Sequence, residues 1–263
     1  MEGDLMQGWP EFKASILKRT GIDLNAYKER QMLRRINTLK TLRGADSFEA
    51  YLRLLEQDPD CLREFLERLT INVSEFFRNP ERFDELKNRY LPQLLVGRLQ
   101  LKTWSAGSAA GEEAYSLAIL LAENVPGQIM PVLATDLDQE ALAAAAIGRY
   151  PAERLKNVPA KLKQRYFTFE DGYYEVRPEL KSKVRFKRHD LLRDAYDSDF
   201  DLILCRNVVI YFTEQAKERL YQRFARALRP GGILFTGATE QIFKPASYGL
   251  EPMAPFFYRR PKN

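Results

Sequence analysis

The chain is 263 residues long, 45% apolar, and has a formal charge of +5. That length holds one large domain or two modest ones, and that composition excludes a disordered chain. No apolar run reaches the roughly 20 residues needed to span a bilayer, so membrane insertion is not expected.

The opening MEGDLMQGWPEF is acidic and broken by Gly and Pro, unlike a secretory leader, so the expected compartment is the cytoplasm. Cys61 and Cys205 lie in a helical and a strand pattern, far apart in the chain. They read as reduced, buried thiols rather than a disulfide or a metal site. The basic balance favours an acidic partner without naming it.

In chain order, residues 9–88 read as all-helical. Pro10–Arg19, Asn25–Leu42, Ser47–Glu56 and Asp60–Thr70 each carry apolar residues at three- and four-residue spacing, punctuated by Gly21, Gly44 and Pro59. In the segment Tyr27–Arg43, Lys28, Arg30, Arg34, Arg35, Lys40 and Arg43 face a single acid, Glu29. Met32, Ile36 and Leu39 are spaced to enter a core, so the arginines are expected to form a basic face; a merely solvated helix surface is the alternative. A helix Glu81–Leu95 follows the aromatic stretch NVSEFFRNP.

Leu101–Leu117, LKTWSAGSAAGEEAYSL, reads as a strand, a turn of small residues and the start of a helix. Such a turn lets a ligand approach the backbone, and the helix start offers free N–H groups. Ile129–Leu137 is a second buried strand that ends in Asp136 and Asp138. An acid at the tip of the second strand of a nucleotide-binding sheet accepts ribose hydroxyls; Asp138 also suits a helix N-cap.

A compact β insert is expected over about 165–188, with short strands at Tyr173–Arg177 and Val184–Arg188. Phe200–Phe212 is the most apolar strand pattern, with Arg206 and Asn207 towards its carboxyl end. A helix Thr213–Leu228, a turn Pro230–Gly232, a strand Ile233–Gly237 and a final strand Phe256–Arg259 complete the chain. The alternation predicts an α/β domain, Rossmann-like, with a parallel sheet covered on both faces.

The chain lacks a P-loop lysine and the third glycine of a dinucleotide site. A cofactor with ribose and amino-acid ends but no phosphate, S-adenosylmethionine, fits the small-residue turn better, with Glu113 placed to balance its cationic end.

NVSEFFRNPERF, WSAGSAAGEEAYSLA, ATDLDQEAL, FDLILCRNVVIYF and LRPGGILFTGATEQIF occur in this order. Together they resemble the chemotaxis receptor glutamate O-methyltransferases, the CheR family, over nearly the whole chain. The resemblance implies methyl transfer from S-adenosylmethionine, leaving S-adenosylhomocysteine, to glutamates on the cytoplasmic helical bundle of chemoreceptors.

It implies a helical docking domain with linker helix over residues 1–88 and a methyltransferase domain over 89–263. It also implies a cofactor site from Asn72, Ser74, Arg78, Gly107, Glu113, Asp136, Asp190, Leu191, Asn207 and Val208. Arg78 and Tyr211 would lie near the transferred methyl, and Arg30, Arg34 and Arg35 on the docking face.

The chain departs from the usual family turn by methyls in place of hydroxyls at Ala109 and Ala110. Ser74 replaces a usual Thr and Asp190 a common Asn. The insert is short around Glu170–Gly172, which implies no tethering to a receptor tail. His189 is expected to be structural, and the protein a monomer that binds no metal and no nucleic acid. The alternatives are a methyltransferase for another substrate and a non-catalytic adaptor of the same fold.

Overall fold

Gly8 and Gly21, at φ 77° and 79°, bracket the first helix, α1 (Trp9–Thr20), and Pro10 falls in its first turn. The structure is a computed structural model and describes residues 6–69 and 74–262. A short turn, Leu24–Ala26, leads to α2 (Glu29–Leu42), α3 (Phe48–Gln57) and α4 (Pro59–Leu69). Ser47 caps α3, its Oγ accepting from the Ala50 N–H at 3.0 Å. Asp58 caps α4 by accepting from the Asp60 and Cys61 N–H groups. The ring of Phe12 lies 5.1–6.1 Å from those of Trp9, Phe48, Tyr51 and Phe65, so one aromatic cluster joins α1, α3 and α4.

These helices belong to a first unit made of Met1–Ile71 and, from far down the chain, Ile210–Glu218. The late segment is stitched in by backbone bonds. The Lys28 N–H donates to the Tyr211 carbonyl and the Thr213 N–H to the Ala26 carbonyl, each at 2.9 Å. The Tyr27 and Phe212 rings meet edge to face at 5.1 Å.

The second unit comprises Asn72–Val209 and Arg219–Asn263. It begins with α5 (Pro80–Glu85), a π-helical turn at Leu86–Tyr90 and α6 (Leu91–Leu94). Pro92 has no N–H and crowds the carbonyl four residues back, which accounts for the widened turn in the expected helix Glu81–Leu95. Phe76, Phe83, Leu86 and Tyr90 share one buried cluster with Tyr115 and Phe235. Burial of these side chains groups the linker helix with the second unit, whereas the expected boundary falls at residue 88.

The main sheet is seven-stranded in the order β6-β2-β1-β7-β8-β10-β9. Its strands are β1 (Thr103–Ala106), β2 (Val132–Asp136), β6 (Val184–Arg188), β7 (Phe200–Cys205), β8 (Leu228–Thr236), β9 (Glu251–Ala254) and β10 (Phe257–Arg259). The first five pair in parallel, and β10 and β9 close the edge antiparallel. All positions of β1 and β7 are buried, as expected for central parallel strands. The remaining α-helices among the described residues are α7 (Glu112–Asn124), α8 (Gln139–Ile147), α9 (Ala160–Tyr166), α10 (Pro178–Lys181) and α11 (Glu214–Ala227).

A separate three-stranded antiparallel sheet, β3-β5-β4, joins β3 (Arg149–Pro151), β4 (Phe167–Glu170) and β5 (Tyr173–Val176). Its hairpin turns on Asp171 and Gly172, both left-handed, the conformation a two-residue hairpin needs.

Three expectations change. Val184–Arg188 is not part of the insert: β6 pairs with β2 from Val132↔Val184 to Asp136↔Arg188, because parallel pairing satisfies β2's outer edge. The expected strand Phe200–Phe212 stops at Cys205, where Asn207 turns the backbone at φ 62°. The expected turn Pro230–Gly232 lies inside β8, absorbed as a register shift against β7.

Candidate active site

The carboxyl ends of β1, β2 and β7 converge, and there the parallel sheet presents its polar residues. Beyond β1 the chain turns at Gly107, φ 83°, where an added Cβ would lie 2.3 Å from Val208 Cγ2. The Gly107 and Ser108 N–H groups both donate to the Thr135 carbonyl, at 2.8 and 2.9 Å. Gly111, φ 93°, starts α7, and a Cβ there would lie 2.8 Å from Ala145 Cβ. Both glycines are therefore required by close approach as well as by φ.

Asp136 closes this turn. Its Oδ2 accepts from the Ala109 N–H at 2.8 Å and its Oδ1 from the Asp138 N–H at 3.0 Å. Burial pushes its carboxyl above the usual range, against those two N–H groups. Asp138 caps α8 by accepting from the Glu140 and Ala141 N–H groups. Ala109 holds φ 46°, a conformation that costs a non-glycine residue roughly 1–2 kcal/mol; the bond to Asp136 keeps it there.

Glu113, in the first turn of α7, is 9% exposed. Its Oε1 accepts from Ser105 Oγ at 2.8 Å, and its Oε2 lies 3.5 Å from Arg206 Nη1. Burial raises its pKa, and Arg206 opposes that rise. The Arg206 guanidinium also donates through Nη2 to the Arg78 carbonyl at 2.7 Å and to Asn79 Oδ1 at 3.0 Å. Glu240 Oε2 accepts from the backbone of Asn207 and Gly237, at 2.6 and 2.8 Å, which fixes the turn that carries Asn207 and Val208.

Beside β2, the His189 N–H donates to the Asp136 carbonyl at 2.9 Å, so the loop with Asp190 and Leu191 is tied to the tip of that strand. Asp190 Oδ1 accepts from the Leu192 N–H at 2.8 Å. The Leu191 carbonyl accepts from Tyr196 Oη and Arg223 Nη1. His189 itself is buried, edge-on to Trp104 at 5.6 Å, and burial lowers its pKa. A neutral imidazole among aromatics suits packing. The Ser74 carbonyl accepts from Arg154, which also pairs with Glu112 at 3.4 Å.

The structure thus gathers Gly107, Glu113, Asp136, Asp190, Leu191, Asn207, Val208 and the Arg78 backbone at one end of one unit. Asn72 lies outside the described residues. Tyr211 groups with the first unit, where the Arg35 guanidinium lies 5.6 Å from its ring centre.

On α2, Arg30 and Arg34 are exposed and Arg35 half-buried. Arg35 corrects the expectation of a uniformly projecting face: its Nη1 donates to the Leu69 carbonyl at 2.6 Å and completes the end of α4. A groove of about 440 Å³ in this unit is lined by Gln31, Arg34, Arg35, Leu42, Arg68 and Tyr211, among others.

The sequence places Arg206 only as a polar group at the ligand end of a strand, and gives Glu240 no role. A charged residue directly after the apolar run Leu202–Cys205 was the available signal for Arg206. Glu240 carried none, because its partners are backbone N–H groups.

The residues fit a ribosyl, amino-acid-bearing cation. The turn at Gly107 has no side chain to obstruct a ligand, Asp136 keeps lone pairs for hydroxyls, and Glu113 is an acid held at the β1 end. Among the described residues no cluster could hold a metal ion, and no helix is long and apolar enough to cross a membrane.

Residues 72–254 match the family model described as CheR methyltransferase, SAM binding domain, and residues 7–70 match CheR methyltransferase, all-alpha domain. A chemotaxis protein methyltransferase of Listeria innocua is 42% identical over 97% of this chain and 98% of the relative. One from Borreliella burgdorferi is 32% identical over 91% of this chain and 89% of its own. The expected Rossmann-like domain behind an all-helical one, and S-adenosylmethionine as cofactor, therefore hold, and the chain belongs to the CheR family of chemotaxis protein methyltransferases.

Proposed function

We propose that the acceptor is the glutamate side chain of a chemoreceptor's cytoplasmic bundle and that the reaction runs in the cytoplasm. The observation that carries this is the pairing, at one sheet end, of a buried acid, Glu113, with the backbone of an arginine segment, Arg78, through Arg206. One end suits a cationic cofactor and the other an anionic acceptor.

The bound cofactor supplies a methyl already activated on a sulfonium. The chain's own task is to bind and align. Asp136 receives the ribose hydroxyls, and Glu113 the amino-acid end. Asn207, Val208, Asp190, Leu191 and Ser74 shape the remaining wall, with Asn72 as a further contact. Arg78 orients the acceptor carboxylate by a charge-assisted hydrogen bond.

No general base is needed, because a free glutamate with pKa about 4.3 is already ionised at neutral pH. Rate comes from in-line alignment and exclusion of water. Tyr211 is a further candidate for a role in methyl transfer, supported by the family resemblance alone.

The exposed part of the α2 face, Arg30 and Arg34, receives the acidic receptor helices, and a positive field steers them. The protein acts as a monomer.

The test is incubation with labelled S-adenosylmethionine and receptor membranes, followed by alkali. Carboxyl esters release labelled methanol under base and N-methyl groups do not. Base-stable label, or label on nucleic acid instead of receptor, would refute this reading.

A further inference from the structure

Among the described residues Arg206 is the one buried guanidinium at the site, with its side chain 2% exposed. It lies over the Phe235 ring at 4.7 Å and near the Phe83 ring at 5.4 Å, so aromatic side chains fix its plane. Its fork reaches acceptors on two separate elements. Nη1 faces Glu113 on α7, and Nη2 donates to the Arg78 carbonyl and to Asn79 Oδ1.

The segment it grips is strained, because Phe77 and Asn79 on either side of Arg78 both hold positive φ, 50° and 60°. A second tie, from the Phe77 N–H to Ser116 Oγ at 2.8 Å, holds the segment on its other flank. Left-handed residues persist only where the surroundings over-determine them, and here the surroundings are Ser116 and Arg206.

We infer that Arg206 is a positioning residue that latches the Phe77–Asn79 turn to Glu113, so that one side chain sets both the acceptor arginine and the cofactor's acid. The inference rests on the roles proposed above for Arg78 and Glu113. A fork with two nitrogens aimed at different elements is needed; a lysine, a single point of charge, can serve only one of them.

Three variants separate the two jobs. Arg206→Lys keeps a cation beside Glu113 and gives up the fork to Arg78. Product binding, measured by calorimetry with S-adenosylhomocysteine, is expected to stay within about threefold, while kcat on receptor membranes falls at least about tenfold. Arg206→Met removes both functions, so product affinity falls and becomes steeper towards low pH as Glu113 takes up a proton. Asn79→Gly keeps the left-handed backbone and deletes one acceptor of the latch. It lowers kcat, and combined with Arg206→Lys it adds nothing further.

Thermal melts accompany each variant, and should Arg206→Met fail to fold, the other two and their combination decide. The inference is overturned if Arg206→Lys keeps kcat within about threefold, if binding and turnover fall by one common factor, or if the double variant is additive. Wild-type protein that forms no base-labile ester overturns the acceptor reading itself, and this inference with it; that result is seen before any variant is compared.

Discussion

Gly107→Ala is the sharpest test of how the turn after β1 is built. Two costs follow from the structure. At φ 83° an L-residue sits in the left-handed region, at roughly 1–2 kcal/mol. The new Cβ would also stand 2.3 Å from Val208 Cγ2, against about 3.5–4.0 Å for carbon atoms at rest. Overpacking of this kind adds about 1–3 kcal/mol, so the total is about 2–5 kcal/mol. For a protein of this size each kcal/mol lowers Tm by roughly 2–4 °C, and a drop of roughly 4–20 °C is expected.

The companion Gly107→Ala/Val208→Ala removes the colliding methyl and leaves only the backbone cost. It should melt above the single Gly107 variant despite losing a side chain of its own. Differential scanning calorimetry reads both, and titration with S-adenosylhomocysteine reports the site. Strict additivity of the two substitutions, or a Gly107→Ala melt within about 2 °C of wild type, would show that Gly107 and Val208 are not in the contact described.

At the opposite end of β7, Asp201 is fully buried and accepts from the Lys102 N–H at 2.8 Å while pairing with Arg229 and, at 3.3 Å, with Arg98. Asp201→Asn leaves two cations without their acid and should cost about 2–4 kcal/mol in urea unfolding, with product affinity unchanged; an unshifted urea midpoint refutes it. Burial raises the folded-state pKa of Glu113, so the folded protein binds more protons than the unfolded chain between the ordinary and the raised value. Stability from this group is therefore lost as pH rises through that window, whereas product affinity, on the role proposed for the Glu113 carboxylate, is expected to grow over the same window. Glu113→Gln should flatten the affinity profile, and an equal slope in wild type and variant counts against it. Arg34→Glu should raise KM for receptor membranes, more so at low salt, and leave Tm alone. Arg35→Glu should lower Tm as well, because it removes the bond to Leu69; identical behaviour of the two would show that Arg35 is only a surface charge.

The strand-turn-helix at residues 101–117 was legible because small residues, β-prone residues and a helical repeat each point the same way. Asp136 was legible as the acid near the end of the buried strand pattern Ile129–Leu137. What escaped the sequence depends on distant partners. Val184–Arg188 has the pattern of any short strand, and only the open edge of β2 decides that it joins the main sheet. Arg35 and Arg34 are neighbours of the same type, yet the Leu69 carbonyl, from another helix, takes one inward. Arg206 reads as a polar residue at a strand end until Phe83, Phe235 and the Arg78 turn are set around it.

The late return of residues 210–218 to the helical unit also governs when that unit can be finished. During synthesis at about 5–20 residues per second, α1 to α4 emerge well before the Ile210–Glu218 segment that pairs with Tyr27 has been made. They wait on the ribosome as an unfinished bundle until most of the sheet has been translated. A fragment cut after α4 would keep its aromatic centre and leave Tyr27 and the Lys28 N–H facing water, so the helical unit is not a transplantable module. Grafting it onto another scaffold requires the Ile210–Glu218 segment to travel with it.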